Sequence, residues 1–318
     1  PPRSTLFPYT TLFRSGEEQA TALRLGHLNP ESVEAALFVY GEEGEEAVGL
    51  DDVGNVCARL EPWQPAGLGA EAATGWAREA ALEPGVEVVE MGGGVVSLRV
   101  AGLEFARADR QRVWVGIERK RRAGSREEVV GLARELMAVR VERSGGADHE
   151  WARKRPEARI EALVRARPEA LDASLAAGPV YGQVCAVAGR ERGLVDLLAL
   201  DERGRLAVIE VKASEDVHLP MQALDYWMRV RHHAVAGEFR RAGYFPGRAV
   251  RAEAPRLLLV APALAFHPTT ETLLGFYSSD IEVERIGLSV EWQRSLRVVL
   301  RLAGASRPGW RQAPGQRA

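Results

Sequence analysis

The sequence predicts an α/β fold over residues 150–304, a mixed sheet flanked by helices, preceded by a separate N-terminal α+β domain over residues 16–145. Three observations carry that expectation. Beyond residue 150, segments of helical and of strand periodicity alternate. Between Val86 and Glu118 the apolar runs VEVVE, VVSLRV and VWVGIE are short and of β type. The polar stretch RSGGADHEWARKRP at 143–156 separates the two regions and supplies the boundary. With 318 residues, 46% hydrophobic and 27% charged, the chain is long enough for two cores of ordinary size.

The first fifteen residues, PPRSTLFPYTTLFRS, resemble a translated sequencing adapter and are set aside, so the natural start is expected to differ from Pro1. Residues 16–85 are rich in Glu and Ala with Gly and Pro punctuation, which predicts helices joined by irregular loops. From Val86 the β-type runs, interrupted by Gly92–Gly94, predict a small antiparallel sheet. Ser125 begins SREEVVGLARELMAVRV, where Glu128 stands at the capping-box position and Val129, Val130, Leu132, Leu136 and Met137 make a helical apolar stripe.

In the C-terminal half, Pro156 to Arg167 reads as a helix with Ile160, Leu163 and Val164 on one face. PVYGQVCAVAG reads as a strand, GLVDLLALD and RLAVIEVKA as a hairpin, and LPMQALDYWMRVRHHAVAGEFRRAG as one long amphipathic helix. RLLLVAPAL is a buried strand, Thr269 to Tyr277 a helix, and IEVERIG and LRVVLRL are strands. Residues 305–318 read as a disordered tail.

Composition excludes several classes. No apolar run reaches the ~18 residues that span a bilayer and no signal-type segment opens the chain, so no membrane association and a cytoplasmic address are expected. Cys57 and Cys185 make neither a disulfide framework nor a zinc site. The motifs GxGxxG, GxSxG and HExxH and the Walker loop are missing. Net charge is −2, yet residues 16–90 carry −13 and residues 91–318 carry +9. A basic half suits a polyanion; an acidic start reads as a solvated face, a partner surface or an internal competitor for a basic groove. Late on the long helix, Arg229, Arg231, His232 and His233, with Arg240 and Arg241, fit either a phosphate-facing or a solvated surface.

One stretch carries chemistry. The chain has 39 arginines and three lysines, and one of the three, Lys212, lies two residues after Glu210 in the otherwise apolar strand LAVIEVKAS. With Glu202, Arg203 and Gly204 as the hairpin loop, Asp201 pairs with Arg205 and Asp196 faces Glu210, with Lys212 on the same face. Alone, such a pattern also reads as an ion pair on a half-solvated strand. Burying two carboxylates and an ammonium together needs compensation, and a divalent cation, Mg²⁺ or Mn²⁺, provides it through oxygen ligands. Lys212 would then orient or deprotonate the attacking water, or stabilise charge on a phosphate.

The order of parts over about residues 155–230 resembles the PD-(D/E)xK nuclease superfamily, in its RecB-type and NucS-like branches. A helix with a carboxylate is followed by a strand with Asp196, a hairpin, the ExK strand and a helix with QxxxY, Gln222 and Tyr226. The resemblance implies a restriction-endonuclease-like fold and a Mg²⁺- or Mn²⁺-dependent deoxyribonuclease acting in DNA repair or defence, with DNA as partner and a homodimer as an admissible assembly. It assigns Asp196, Glu210 and the Val211 carbonyl to the metal, Lys212 to catalysis, and Gln222 and Tyr226 to auxiliary roles. The family's PD dipeptide is Val195-Asp196 here. His218, in the following connection, is read as a surface residue. For the helix carboxylate, Glu157 lies about 65° and Glu161 about 105° from the centre of the apolar face, which favours Glu157, as does the family pattern. The rival readings are a nuclease fold that holds nucleic acid without cutting it, and a protein-interaction module built on the acidic N-terminal region.

Overall fold

The computed structural model describes residues 18–41, 44–50, 58–63, 83, 85–90, 95–109, 112–142, 149–188 and 191–304. Expectations for the adapter-like opening, Cys57, Gly92–Gly94, residues 64–82 and the tail fall outside these residues. The architecture is mixed α/β, with a seven-stranded mixed sheet flanked by helices.

That sheet is built from β3 (Ala58–Leu60), β9 (Tyr181–Ala188), β10 (Glu191–Leu200), β11 (Leu206–Val211), β12 (Arg256–Pro262), β13 (Val283–Leu288) and β14 (Val298–Ala303). Its order is β14-β13-β12-β11-β10-β9-β3. Strands β11, β12 and β13 run parallel, while the remaining pairs are antiparallel. The six residues of β11 are all buried, as a central strand covered on both faces requires. Leu206 and Val208 pack under α4 (Leu219–Val235), together with Leu224, Trp227 and Met228. Ala207, Ile209 and Val211 pack against Ile160 and Val164 of α3 (Pro156–Ala166). Helix α4 ends at Val235, earlier than the amphipathic pattern suggests, because Gly237 turns left-handed at φ 66 before a last short turn at Glu238–Arg241.

The N-terminal region divides differently from the expectation of one unit over 16–145. Helix α1 (Glu18–Leu25) packs on α4, Leu23 and Leu60 join the core beneath α4, and β3 extends the large sheet beside β9. In place of irregular structure after α1, β1 (Leu37–Gly41) and β2 (Gly44–Val48) form a ribbon, because LFVY alternates and Gly44 adopts φ 123 at the turn. The second unit is an antiparallel sheet of β4 (Val86–Glu90), β5 (Val96–Val100), β6 (Leu103–Ala108), β7 (Val113–Val115) and β8 (Arg122–Ala123), covered by α2 (Arg126–Arg140). Its core joins Leu98, Val100 and Phe105 to Val129, Ala133 and Leu136, and Ser125 and Glu128 close the expected capping box.

Two contacts fix this small sheet to the large one. Gly102, in the β5–β6 turn at φ 77, approaches the α3 backbone so closely that a Cβ would stand 1.9 Å from the Ala158 carbonyl oxygen. The fully buried Arg140 donates to the carbonyls of Ala101, Trp151 and Lys154, the first in that turn and the others in the segment leading into α3. Gly102→Ala is therefore expected to destabilise by about 2–4 kcal/mol, combining left-handed strain with a backbone clash. Gly131→Ala, on exposed α2 with nothing within 4 Å of the added carbon, should stabilise by about 0.5–1 kcal/mol. Urea midpoints of the two variants measure both effects.

Candidate active site

Asp196 sits where the large sheet comes apart. The β10–β11 ladder runs from Leu200↔Leu206 to Leu197↔Ile209, the register that pairing Asp201 with Arg205 predicts, and stops there. The next inward N–H, that of Val211, donates instead to Asp196 Oδ2 at 3.0 Å. On its other side β10 pairs with β9 at Val195↔Val184 and Leu197↔Gly182 but not between, where Gln183 holds φ 54. Tyr181 and Val184 both enter the core beneath α4, as do Val195 and Leu198. Residues three apart on regular strands would face opposite ways, so alternation is broken at Gln183 and Asp196. The Asp196 carboxylate lies in the gap between strands, and Gln183 Nε2 reaches it at 3.5 Å.

Other groups converge on this gap. Glu210, 2% exposed, follows Leu206 and Val208 onto the α4 face. Lys212 Nζ lies 3.6 Å from Glu210 Oε1 and 3.5 Å from Asp216 Oδ2. Its backbone N–H donates to Val260, toward β12, so the Val211 N–H and carbonyl both face β10. From α4, Tyr226 packs over Gly193, where a Cβ would stand 3.2 Å from its ring. Gln222, one turn earlier on the same helix side, has a buried Oε1 without a hydrogen-bond partner.

The structure places the two helix carboxylates in the opposite order to the one the apolar face suggests. Glu157 Oε1 accepts the N–H of Ala213 at 3.2 Å, which ties the helix start to the end of the ExK strand. Glu161, 7% exposed, is the one that faces Asp196. Glu157 is the nearer of the two to the centre of the apolar face, but the site lies at the edge of that core. His218 is exposed, as expected. Arg229 and His233 are not surface residues: Arg229 donates to the Ala186 carbonyl and pairs with Asp225 at 2.8 Å, and His233 Nδ1 contacts Glu238 at 2.5 Å. Neither is available to a phosphate, and the basic pattern of α4 did not distinguish them from Arg231.

Electrostatically the site is a crowd of carboxyls. Burial, then Asp196, drives Glu210 well above the carboxylate range, against the pull of Lys212. Burial also raises Asp196, opposed by the Val211 N–H and Lys212. Glu161 is pushed up to about 7, first by burial and then by Asp196, with Arg165 and Arg99 opposing. The Tyr226 hydroxyl is pushed up to about 12 by burial and by Glu210 and Asp196, so it remains a donor at neutral pH.

These residues suit a hard divalent cation. Glu210 Oε2 is buried without a hydrogen-bond partner, and the raised carboxyls are a cost that positive charge would remove. Among the described residues no three His, Cys, Asp or Glu side chains already converge as a ligand set. Asp196, Glu210 and the Val211 carbonyl would be the holders, the sparse oxygen set that Mg²⁺ takes with water completing its shell. No family model matches the sequence, and no curated protein matches it. No described helix is long and apolar enough to cross a membrane.

The Glu161 shift sets a pH dependence. Its carboxyl is raised from 4.5 to about 7 on folding, so its favourable contribution is complete below pH 4.5 and is lost as pH rises through 7. Without divalent cations, unfolding free energy should decline across that window, and Glu161→Gln should abolish about 3 kcal/mol of the decline. Mg²⁺ should raise the melting temperature more at pH 8 than at pH 5. Chemical denaturation at fixed pH values, with EDTA or Mg²⁺, measures both; an equal slope in wild type and variant would show that Glu161 ionises freely.

Proposed function

We propose that the protein is a divalent-cation-dependent deoxyribonuclease that hydrolyses phosphodiester bonds at the Asp196 gap. The observation that carries this reading is the pair Asp196 and Glu210 where β10 and β11 part, with Lys212 Nζ 3.6 Å from Glu210 and with Glu161 and Tyr226 both feeling the charge of Asp196. A purely structural ion pair would not need a third buried carboxyl on the facing helix. The restriction-endonuclease-like order of elements supports the same reading: carboxylate helix, Asp strand, ExK strand and QxxxY helix lie around one point of a mixed sheet.

A bound divalent cation supplies charge that offsets both the carboxylate cluster and the negative charge developing on the phosphate. Lys212, held between Glu210 and Asp216, orients the attacking water and opposes that same charge. Tyr226 and Gln222 offer donors to the non-bridging oxygens from the α4 side. Glu161 stands across the gap and, with a proton affinity near neutrality, can receive a proton from the water as the new P–O bond forms and the P–O bond to the leaving sugar oxygen breaks, that oxygen taking its proton from solvent.

Asp196→Ala, Glu210→Ala and Lys212→Ala should each abolish Mg²⁺-dependent cleavage of labelled DNA while leaving circular dichroism unchanged. Glu161→Gln should lower the rate by at least ~100-fold and Glu157→Gln by less than ~10-fold. The panel should contain single-stranded, duplex and branched DNA, each with and without Mg²⁺ or Mn²⁺. DNA binding by wild type without metal-dependent cleavage of any form would replace this proposal with a nuclease fold that only holds its ligand.

A further inference from the structure

We infer that Arg99 and Arg165 form a phosphate clamp, one guanidinium from each sheet unit, which holds a nucleic-acid backbone beside the Asp196 gap. The inference rests on the nuclease reading above and identifies residues that would select and position the substrate strand. Arg165 lies one turn after Glu161 on α3. Its Nη1 stands 3.6 Å from Glu161 Oε2 and its Nη2 4.0 Å from Glu87 Oε2, both beyond hydrogen-bond length. Nη2 is buried with no hydrogen-bond partner, an unmet donor on a permanently charged group.

Strand β9 makes room for this side chain. At Gly182 a Cβ would stand 2.6 Å from Arg165 Nη1, so any larger residue would displace the guanidinium. Arg99 approaches from β5, its Nε donating to Ser97 Oγ at 3.1 Å. Burial and then the nearby Arg165 lower its proton affinity, with Glu104, Glu161 and Glu87 opposing, so the two cations lie close together among carboxylates. Both line a cavity of about 1300 Å³ between the two sheets, shared with Arg59, Trp63 and Gln183. Gln183 also reaches Asp196, so one wall residue of the cavity is shared with the carboxylate gap.

A phosphodiester fits this arrangement. Its two non-bridging oxygens can each accept from one guanidinium, and its single charge relieves the repulsion between them. Glu161 and Glu87 already pair with Arg165 at 3.6 and 4.0 Å, yet neither takes a hydrogen bond from Nη2, which leaves that donor for a phosphate oxygen. A carboxylate-rich peptide would satisfy the cations but would bring further negative charge to Glu161 and Asp196, whereas a nucleic-acid strand presents the very group that the gap is built to attack.

The test is equilibrium binding of a fluorescein-labelled, mixed-sequence single-stranded 20-mer and of a hairpin duplex to the full chain in EDTA, over a salt series. Arg99→Gln and Arg165→Gln should each weaken binding about tenfold and reduce the salt slope by about one. Gly182→Ala, which keeps both arginines in the sequence but displaces the Arg165 guanidinium, should also weaken binding, and it decides the matter if Arg165→Gln fails to fold. A methylphosphonate walked along the oligonucleotide should find one linkage whose neutralisation weakens wild type but not Arg165→Gln. Variants binding within twofold of wild type, with unchanged salt slopes, would overturn the clamp alone. Displacement of the oligonucleotide by millimolar inorganic phosphate would reassign the cavity to a free anion. A wild type with no affinity for either DNA would overturn the nuclease reading as well.

Discussion

The hydrogen bond from the Val211 N–H to the Asp196 carboxylate is the constraint on which the site depends. In an unbroken ladder that donor would meet a main-chain carbonyl of β10, and the strands would stay closed. A side-chain acceptor in that place holds β10 and β11 apart while leaving no amide unmet. The opening brings Glu210 and the Val211 carbonyl to face Asp196, with Lys212 just beyond. The break at Gln183 is its counterpart on the β9 side, because β10 cannot turn Asp196 into the plane while keeping regular pairing there.

The surrounding layers fix this opening from both faces. Helix α4 brings Tyr226 and Gln222 over the gap from one side, and α3 brings Glu161 and Arg165 from the other. Each helix is seated by apolar residues that the site does not use: Leu224, Trp227 and Met228 on α4, Ile160 and Val164 on α3. The unfavourable burial of carboxyls is thus supported by packing that would be stable without it. At one end of the sheet a left-handed residue, Gln183 at φ 54, and the raised carboxyls coincide.

Much of this was legible in the sequence, and the parts that were not have physical causes. The hairpin register follows from a three-residue loop and period-two alternation, so Leu197↔Ile209 was predictable from Asp201 and Arg205. The capping box at Ser125 and Glu128 is equally local. Glu161 ranked behind Glu157 because helical angle orders residues by depth in a core, whereas a site at the sheet end is approached along the helix axis as well. Arg229 and His233 look like their exposed neighbours because their partners, the Ala186 carbonyl and Glu238, depend on tertiary contact and a chain reversal that periodicity does not register. The split of the N-terminal region was hidden for a similar reason: β3 has three residues, and only its pairing with β9 makes it a strand of the large sheet.

The joint at Gly102 and Arg140 bears on timing. A glycine seated against a helix backbone and an arginine bound to three carbonyls leave little freedom for the small sheet to swing away from α3. A protein that closes around its ligand discriminates after capture, by how readily closure follows. On the proposed reading, cavity walls that are set before any encounter would place discrimination at entry: a strand of the wrong width would be turned away at the mouth, with no closing motion needed afterwards.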